Sequence, residues 1–240
     1  MLFFYIRHGD PIYNPDSLTA LGHRQAEALA KRLSLFGMDK LFASTSNRAI
    51  ETAQPTSEIT KKEITLLDFA HEKYAARDMT IPNESGNGRH WLFFDGEMRR
   101  LFCEPSIREL GFAWYDHPTL SQYPTLKTGM ERVYRETDAL MLSLGYEHIR
   151  YTGSYRVVTP SDERVALFAH QGFGMSFLSC LLDIPYPQFC LHFDLCHTAM
   201  TVIEFREENG IAIPCVLTYA SDSHLYREGL PTYYNHRVRF

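Results

Sequence analysis

The chain has 240 residues, of which 45% are hydrophobic and 22% charged, and its formal net charge is −5. This balance fits one large α/β domain, or one carrying an insertion, and argues against disorder and against a broad nucleic-acid-binding face. No apolar stretch reaches membrane-spanning length. The first apolar run lacks the basic flank of a signal peptide, and the five cysteines contain no CxxC pair, so a cytoplasmic protein with reduced, mostly buried thiols is expected.

In chain order, Leu2-Phe3-Phe4-Tyr5-Ile6 reads as a buried strand that ends in Arg7-His8-Gly9. A polar loop with Pro11 and Pro15 follows. Thr19 is then expected to cap an amphipathic helix reaching Leu33, with Gly37 as its stop. Lys40-Leu41-Phe42-Ala43 predicts a second strand, Asn47 starts a helix expected to break at Pro55, and Ile64 to Phe69 predicts a third strand. Such a βαβαβ alternation predicts a mostly parallel sheet.

Residues 74–127 differ in texture, with Pro82, Asn83, Gly86, Asn87 and Gly88 before an aromatic, helix-like stretch from Trp91 to Phe102. Trp114, Tyr115 and Tyr123 follow. The segment is read as an insertion over one end of the sheet, either a lid or a packed subdomain. A helix is expected from Gly129 to Leu144 and an extra strand within Tyr151 to Thr159. Val165 to Ala169 is a clear buried strand; His170-Gln171-Gly172 ends it and a helix over Phe173–Leu182 follows. Thr198 to Phe205 and Ile211 to Tyr219 predict a hairpin turning at 207–210. The whole is expected to be a single domain over 1–240, a three-layer α/β/α sandwich with an insertion after the third strand.

Two histidines thus end apolar strands just before glycine-containing turns. The carboxyl ends of parallel strands form the binding crevice of open α/β sheets, so His8 and His170 can meet there. Arg48, opening the helix after the second strand, adds a guanidinium to the one at Arg7, and two such forks suit a phosphoryl group. A neutral imidazole is a good nucleophile towards phosphorus, and a carboxylic acid with a raised pKa could protonate the leaving oxygen. His192, Asp194, Cys196 and His197 mimic a metal set, but strand alternation would turn His197 away from the others, so no metal is expected there. Arg99-Arg100 reads as a solvated helix face, with contact to an anionic substrate as the alternative.

These stretches, in this order, resemble the histidine phosphatase superfamily, also called phosphoglycerate mutase-like. The resemblance rests on Arg7-His8-Gly9 with Asn14, on Leu18 to Ala26, on Phe42-Ala43-Ser44 through Arg48 to Ala53, on Val165 to Gly172 and on Ser221-Asp222-Ser223-His224-Leu225. It implies His8 as the phosphate-accepting nucleophile, and a phosphate pocket of Arg7, Arg48 and His170 with Asn14. The implied proton donor is Glu72, then Asp68, then Glu109. Neither metal nor organic cofactor is implied, and the partner would be a small phosphorylated molecule, with a homodimer left open. Gln171 stands where the family often has Gly or Asn, and its side chain would either reach the phosphate or point away. Asp10 replaces a more frequent Glu. Lys73 to Asp78 lacks the glycine-rich, aromatic continuation of phosphoglycerate mutases, which favours a phosphatase over a mutase; a phospholigand-binding module is the non-enzyme alternative.

Overall fold

Phe3, Phe4, Tyr5 and Ile6 are all fully buried, yet they serve two different hydrophobic clusters. Phe3 and Tyr5 join one with Val165, Leu167 and Phe177; Phe4 and Ile6 join the other with Leu29, Leu33, Leu41 and Phe168. Alternate side chains point to opposite faces of a strand, so a continuous apolar run covered on both faces yields a three-layer sandwich. The computed structural model describes residues 1–83 and 87–238, so Gly86 of the expected insertion turn lies outside the described residues.

The central sheet has eight strands: β1 (Leu2–Arg7), β2 (Lys40–Ser44), β3 (Ile64–Leu67), β4 (Tyr146–Ile149), β5 (Ser154–Val157), β6 (Arg164–Ala169), β7 (Met200–Glu208) and β8 (Ile211–Ser221). Their spatial order is β3-β2-β6-β1-β7-β8-β5-β4. Pairing is parallel from β3 to β1 and antiparallel beyond it, so β7 and β5 oppose the direction shared by the rest. β1 and β6 are neighbours in register, with Arg7 opposite Ala169. His8 and His170, each the next residue, therefore emerge side by side.

The helices are α1 (Ala20–Ser34), α2 (Asn47–Thr60), α3 (Glu72–Asp78), α4 (Gly96–Cys103), α5 (Pro105–Leu110), α6 (Pro124–Ser143), α7 (Gln171–Leu182), α8 (Tyr186–His192) and α9 (Ser223–Arg227). Thr19 caps α1 as expected, accepting from the Gly22 amide at 3.0 Å. Several elements depart from the sequence reading. α2 runs through Pro55 without a break. A mid-helix proline costs about 3 kcal/mol, and here the buried face of Ala49, Thr52, Ala53 and Thr56 offsets it. The third strand stops at Leu67 and gives way to a 3-10 turn, Asp68–Ala70. The extra strand expected over Tyr151 to Thr159 is present as β5, but it pairs in a hairpin with β4, which the sequence reading did not give, and Tyr151 lies in the turn between them at φ +66°. α6 begins at Pro124 rather than near Gly129. Short α8 carried no periodic signal long enough to be read.

Within 74–127, a two-stranded hairpin (Thr80–Pro82 with Arg89–Trp91) precedes α4 and α5. Phe102, Ile107, Trp114 and Leu120 are buried in the larger core cluster. The Trp114 ring stacks on Tyr186 of α8 with centroids 5.3 Å apart. Cys180, Cys190 and Cys196 are buried free thiols, whereas Cys103 and Cys215 are exposed.

At the far edge of the sheet, His148 is held between Asp138 (2.8 Å) and Asp183 (3.1 Å) and stacks on Tyr155. Burial alone would lower its pKa, but the two carboxylates raise it to about 9. A raised histidine contributes stability that is complete below its unfolded pKa and is lost as pH rises through the folded one. Thermal stability is therefore expected to decline between about pH 6.5 and about pH 9. His148→Phe keeps the ring on Tyr155 but strands Asp183 in the interior, which costs about 3 kcal/mol. Thermal melts of both proteins across this range check it: an unshifted Tm and an unchanged pH slope would mean that the pair contributes nothing.

Candidate active site

The carboxyl ends of β1, β6 and β2 supply the site. Arg7 and His170 are fully buried, and His8 and Arg48 nearly so. The His8 and His170 ring centroids are 5.2 Å apart. Behind His8 the backbone turns against α1: a Cβ on Gly9 would lie 2.8 Å from the Gly22 carbonyl oxygen, so this approach requires glycine. The Gly9 amide donates to Thr52 Oγ1 of α2 at 3.0 Å, fixing the turn.

His8 Nδ1 lies 2.7 Å from the Gly9 carbonyl oxygen. A carbonyl can only accept, so Nδ1 carries the proton and Nε2 keeps its lone pair. Burial, followed by His170, Arg7 and Arg48, holds the His8 pKa well below its usual value, so the ring is neutral. In His170 both nitrogens are engaged. Nδ1 accepts from Arg48 Nη2 at 3.2 Å, and Nε2 donates to Ser44 Oγ at 2.8 Å. Burial and Arg48 push its pKa well down too.

Arg48 is anchored by Asp16, whose Oδ1 takes Nη1 at 2.6 Å. Asp16 Oδ2 also accepts from Ser46 Oγ and the Asn47 amide, so this carboxylate from the 11–18 hairpin caps α2 from outside. Burial would raise the Asp16 pKa, but Ser46 and Arg48 hold it below the usual range. Tyr13 covers the guanidinium from the same hairpin, 5.4 Å away. Arg7 donates to the Leu195 carbonyl and to Asn235 Oδ1. The Nε atoms of both arginines are buried without a hydrogen-bond partner, and His197 Nδ1 lies 3.3 Å from Asp10 Oδ1. Buried unpaired donors call for an explanation.

Glu72 stands at the first turn of α3 and spans the amino end of α7. Its two oxygens accept from the Gly172 and Phe173 amides at 2.9 and 2.8 Å. Burial raises its pKa and outweighs those two hydrogen bonds, with Arg48 and Arg7 near enough to act on it. Gly172 is required here as well, because a Cβ would meet the Trp91 ring at 2.3 Å and Glu72 Oε1 at 2.9 Å. Asp68, by contrast, is exposed, and its hydrogen bond from Tyr74 lowers its pKa, the wrong direction for an acid catalyst. Glu109 is exposed on α5.

Asn14 is exposed at the tip of the 11–18 hairpin, and its side chain makes no hydrogen bond among the described residues. Gln171 is buried and points away from the imidazoles: it donates to Asp194 and accepts from Asn235 Nδ2 at 2.7 Å. Sequence reasoning missed Asn235 altogether, because it sits in coil with no periodicity. It also missed Asp16, and His71, whose ring lies 6.1 Å from that of His170. His197 packs against His8 with centroids 6.0 Å apart, its pKa pushed down to about 3 by burial and then Arg7. His192, ending α8, is exposed, while Cys196 is buried. Among the described residues no group of three or more His, Cys, Asp or Glu side chains is arranged to hold a metal. No described helix is long and apolar enough to cross a membrane.

Residues 3–84 match the histidine phosphatase superfamily, branch 1. No curated protein matches the sequence. Among solved structures, a mutant phosphoserine phosphatase from Entamoeba histolytica in complex with phosphoserine is similar at 20% identity, with 93% of this chain and 98% of that one covered and a TM-score of 0.59. Mycobacterial glucosyl-3-phosphoglycerate phosphatase is similar at 17% identity, 92% and 99% coverage and a TM-score of 0.58. For the α-ribazole phosphatase of Shigella flexneri the values are 19%, 92%, 96% and 0.57. At these identities the likeness establishes the fold.

Proposed function

We propose that the chain, whose residues 3–84 match the histidine phosphatase superfamily, is a member of it and hydrolyses a small phosphomonoester through a phosphohistidine. His8 Nε2 attacks phosphorus, and the P–O bond to the leaving group breaks as the new P–N bond forms. Glu72 gives its proton to the departing oxygen. Water then attacks the phosphohistidine, Glu72 takes a proton from it, and phosphate and neutral His8 are released. Arg7 and Arg48 hold the non-bridging oxygens, and His170 acts chiefly by orienting Arg48.

The observation that carries this reading is the state of His8: neutral, with Nδ1 committed to the Gly9 carbonyl and Nε2 unprotonated, beside two arginines whose Nε donors are unpaired. The named phosphatases that share the fold support it. Rapid quench with a labelled phosphomonoester tests it: an alkali-stable, acid-labile label should appear on His8. A protein that binds phosphate but never becomes labelled and never turns over would be the phospholigand-binding module instead.

The shifted groups also set a pH dependence. The nucleophile must be neutral and Glu72 protonated, so kcat/KM should fall at low pH as His8 takes up a proton. It should fall again as pH rises through the elevated Glu72 pKa. Because the His8 pKa lies well below its usual value, the optimum is expected on the acid side of neutrality. A pH–rate profile of Glu72→Gln should lack the descending limb; its persistence there would assign that limb to another group.

A further inference from the structure

A cavity of about 360 Å³ opens near the site, with Phe93, Phe94, Phe193, Arg99, Asp194 and two histidines, His192 and His236, among its walls. Two routes join it to the proposed chemistry. Asp194 accepts from Gln171, the residue after His170, and His236 follows Asn235, which holds Arg7. Phe93 lies 5.3 Å from the Trp91 ring, and Trp91 covers the first turn of α7 where Glu72 docks. In an in-line displacement the leaving group departs opposite the nucleophile, on the side of the acid. Trp91 and Phe93 thus pack in a row between the Glu72 end of α7 and the cavity wall.

We propose that this cavity is the leaving-group subsite and that it takes a planar, largely apolar ring, so that the substrate is the phosphomonoester of an alcohol bearing such a ring. The inference rests on the phosphatase reading above. Phe94 and Phe193 leave over a third of their surface uncovered (39% and 37%), although both stand in the wall of a concavity, and an aromatic face is the natural partner for a ring. The charges argue against a second anionic group. Arg99 is the one arginine or lysine among the lining residues, and two of its nitrogens already donate to the Phe93 and Leu191 carbonyls, at 3.0 and 3.5 Å. An added carboxylate or phosphate would face Asp194. The volume is large enough for one ring system with its linker.

Three esters decide it: 2-phenylethyl phosphate, n-propyl phosphate and 3-phosphoglycerate. All have alkyl leaving oxygens, so differences in kcat/KM report binding rather than leaving-group acidity. The expected order puts the phenylethyl ester about 10- to 100-fold above the propyl ester and above 3-phosphoglycerate. Phe94→Ala and Phe193→Ala, accepted only with wild-type Tm, should bring the phenylethyl-to-propyl ratio towards one. Calorimetry on the His8→Ala protein with the same esters gives the ranking without turnover. Equal values for the two alkyl esters, or a preference for 3-phosphoglycerate, would overturn the subsite. If no ester turns over, the hydrolase reading fails by itself, and the calorimetric ranking still decides whether the cavity prefers a ring.

Discussion

Replacing His8 by alanine is expected to lower kcat for any phosphomonoester by about 10⁴-fold or more. The size follows from the role. Arg7, Arg48 and Glu72 can still bind, orient and protonate, but no other unprotonated nitrogen stands in the cup with its lone pair free and its opposite nitrogen fixed. His170 cannot replace it, because Arg48 and Ser44 occupy both of its nitrogens. His197, whose ring packs against His8 with its Nδ1 3.3 Å from Asp10, is the neighbour best placed to substitute. The double variant with His197→Ala therefore belongs in the same experiment. Steady-state kinetics and phosphoenzyme trapping check this, with phosphate binding showing that the pocket survives. Undiminished hydrolysis by His8→Ala, or a label that moves to no histidine, would remove the nucleophile assignment.

Glu72→Gln is expected to lower kcat by about 10²- to 10³-fold for alkyl phosphates, within the usual range for general acid catalysis, and far less for p-nitrophenyl phosphate. The contrast separates proton donation from structure. An alkoxide leaves poorly without a proton, whereas nitrophenolate needs almost none. A merely structural effect, such as loosening the amino end of α7, would slow both substrates alike. The amide also loses something structural, since only one of its groups can accept from Gly172 and Phe173, so part of the loss will be common to both esters. Equal losses for the two substrates would make Glu72 a positioning residue.

Much of the site was legible before any coordinates. Arg7-His8 and His170 end two unbroken apolar runs, and such runs become buried neighbouring strands in a sheet covered on both faces. Arg48 was placed by the strand-to-helix signal at 44–48. The resemblance ranked Glu72 ahead of Asp68, but no local pattern separates the two, for both follow the third strand closely. What separates them is that α3 turns one carboxylate onto the amino end of α7 and leaves the other in water. Gln171 shows the same limit: nothing in its neighbours says whether it reaches the phosphate or points away, and a residue 64 positions later decides it. Pro55 marks the opposite failure, a strong local signal overruled by the packing of a buried helix face.

The amino-acid order alone determined where strands end, which residues those ends present, and that two imidazoles and two guanidinium groups belong together, because hydrophobic runs, caps and glycines act over a few residues. Only the tertiary structure decided which nitrogen of His8 carries the proton, what holds Arg7 and Arg48 in place, and which walls enclose the neighbouring cavity. Those answers come from Asp16, Asp194, Asn235 and the 91–94 segment, polar or irregular stretches whose partners lie up to 228 positions away. Contacts of that range are set by the burial and hydrogen-bonding needs of the whole molecule and leave no periodic trace along the chain.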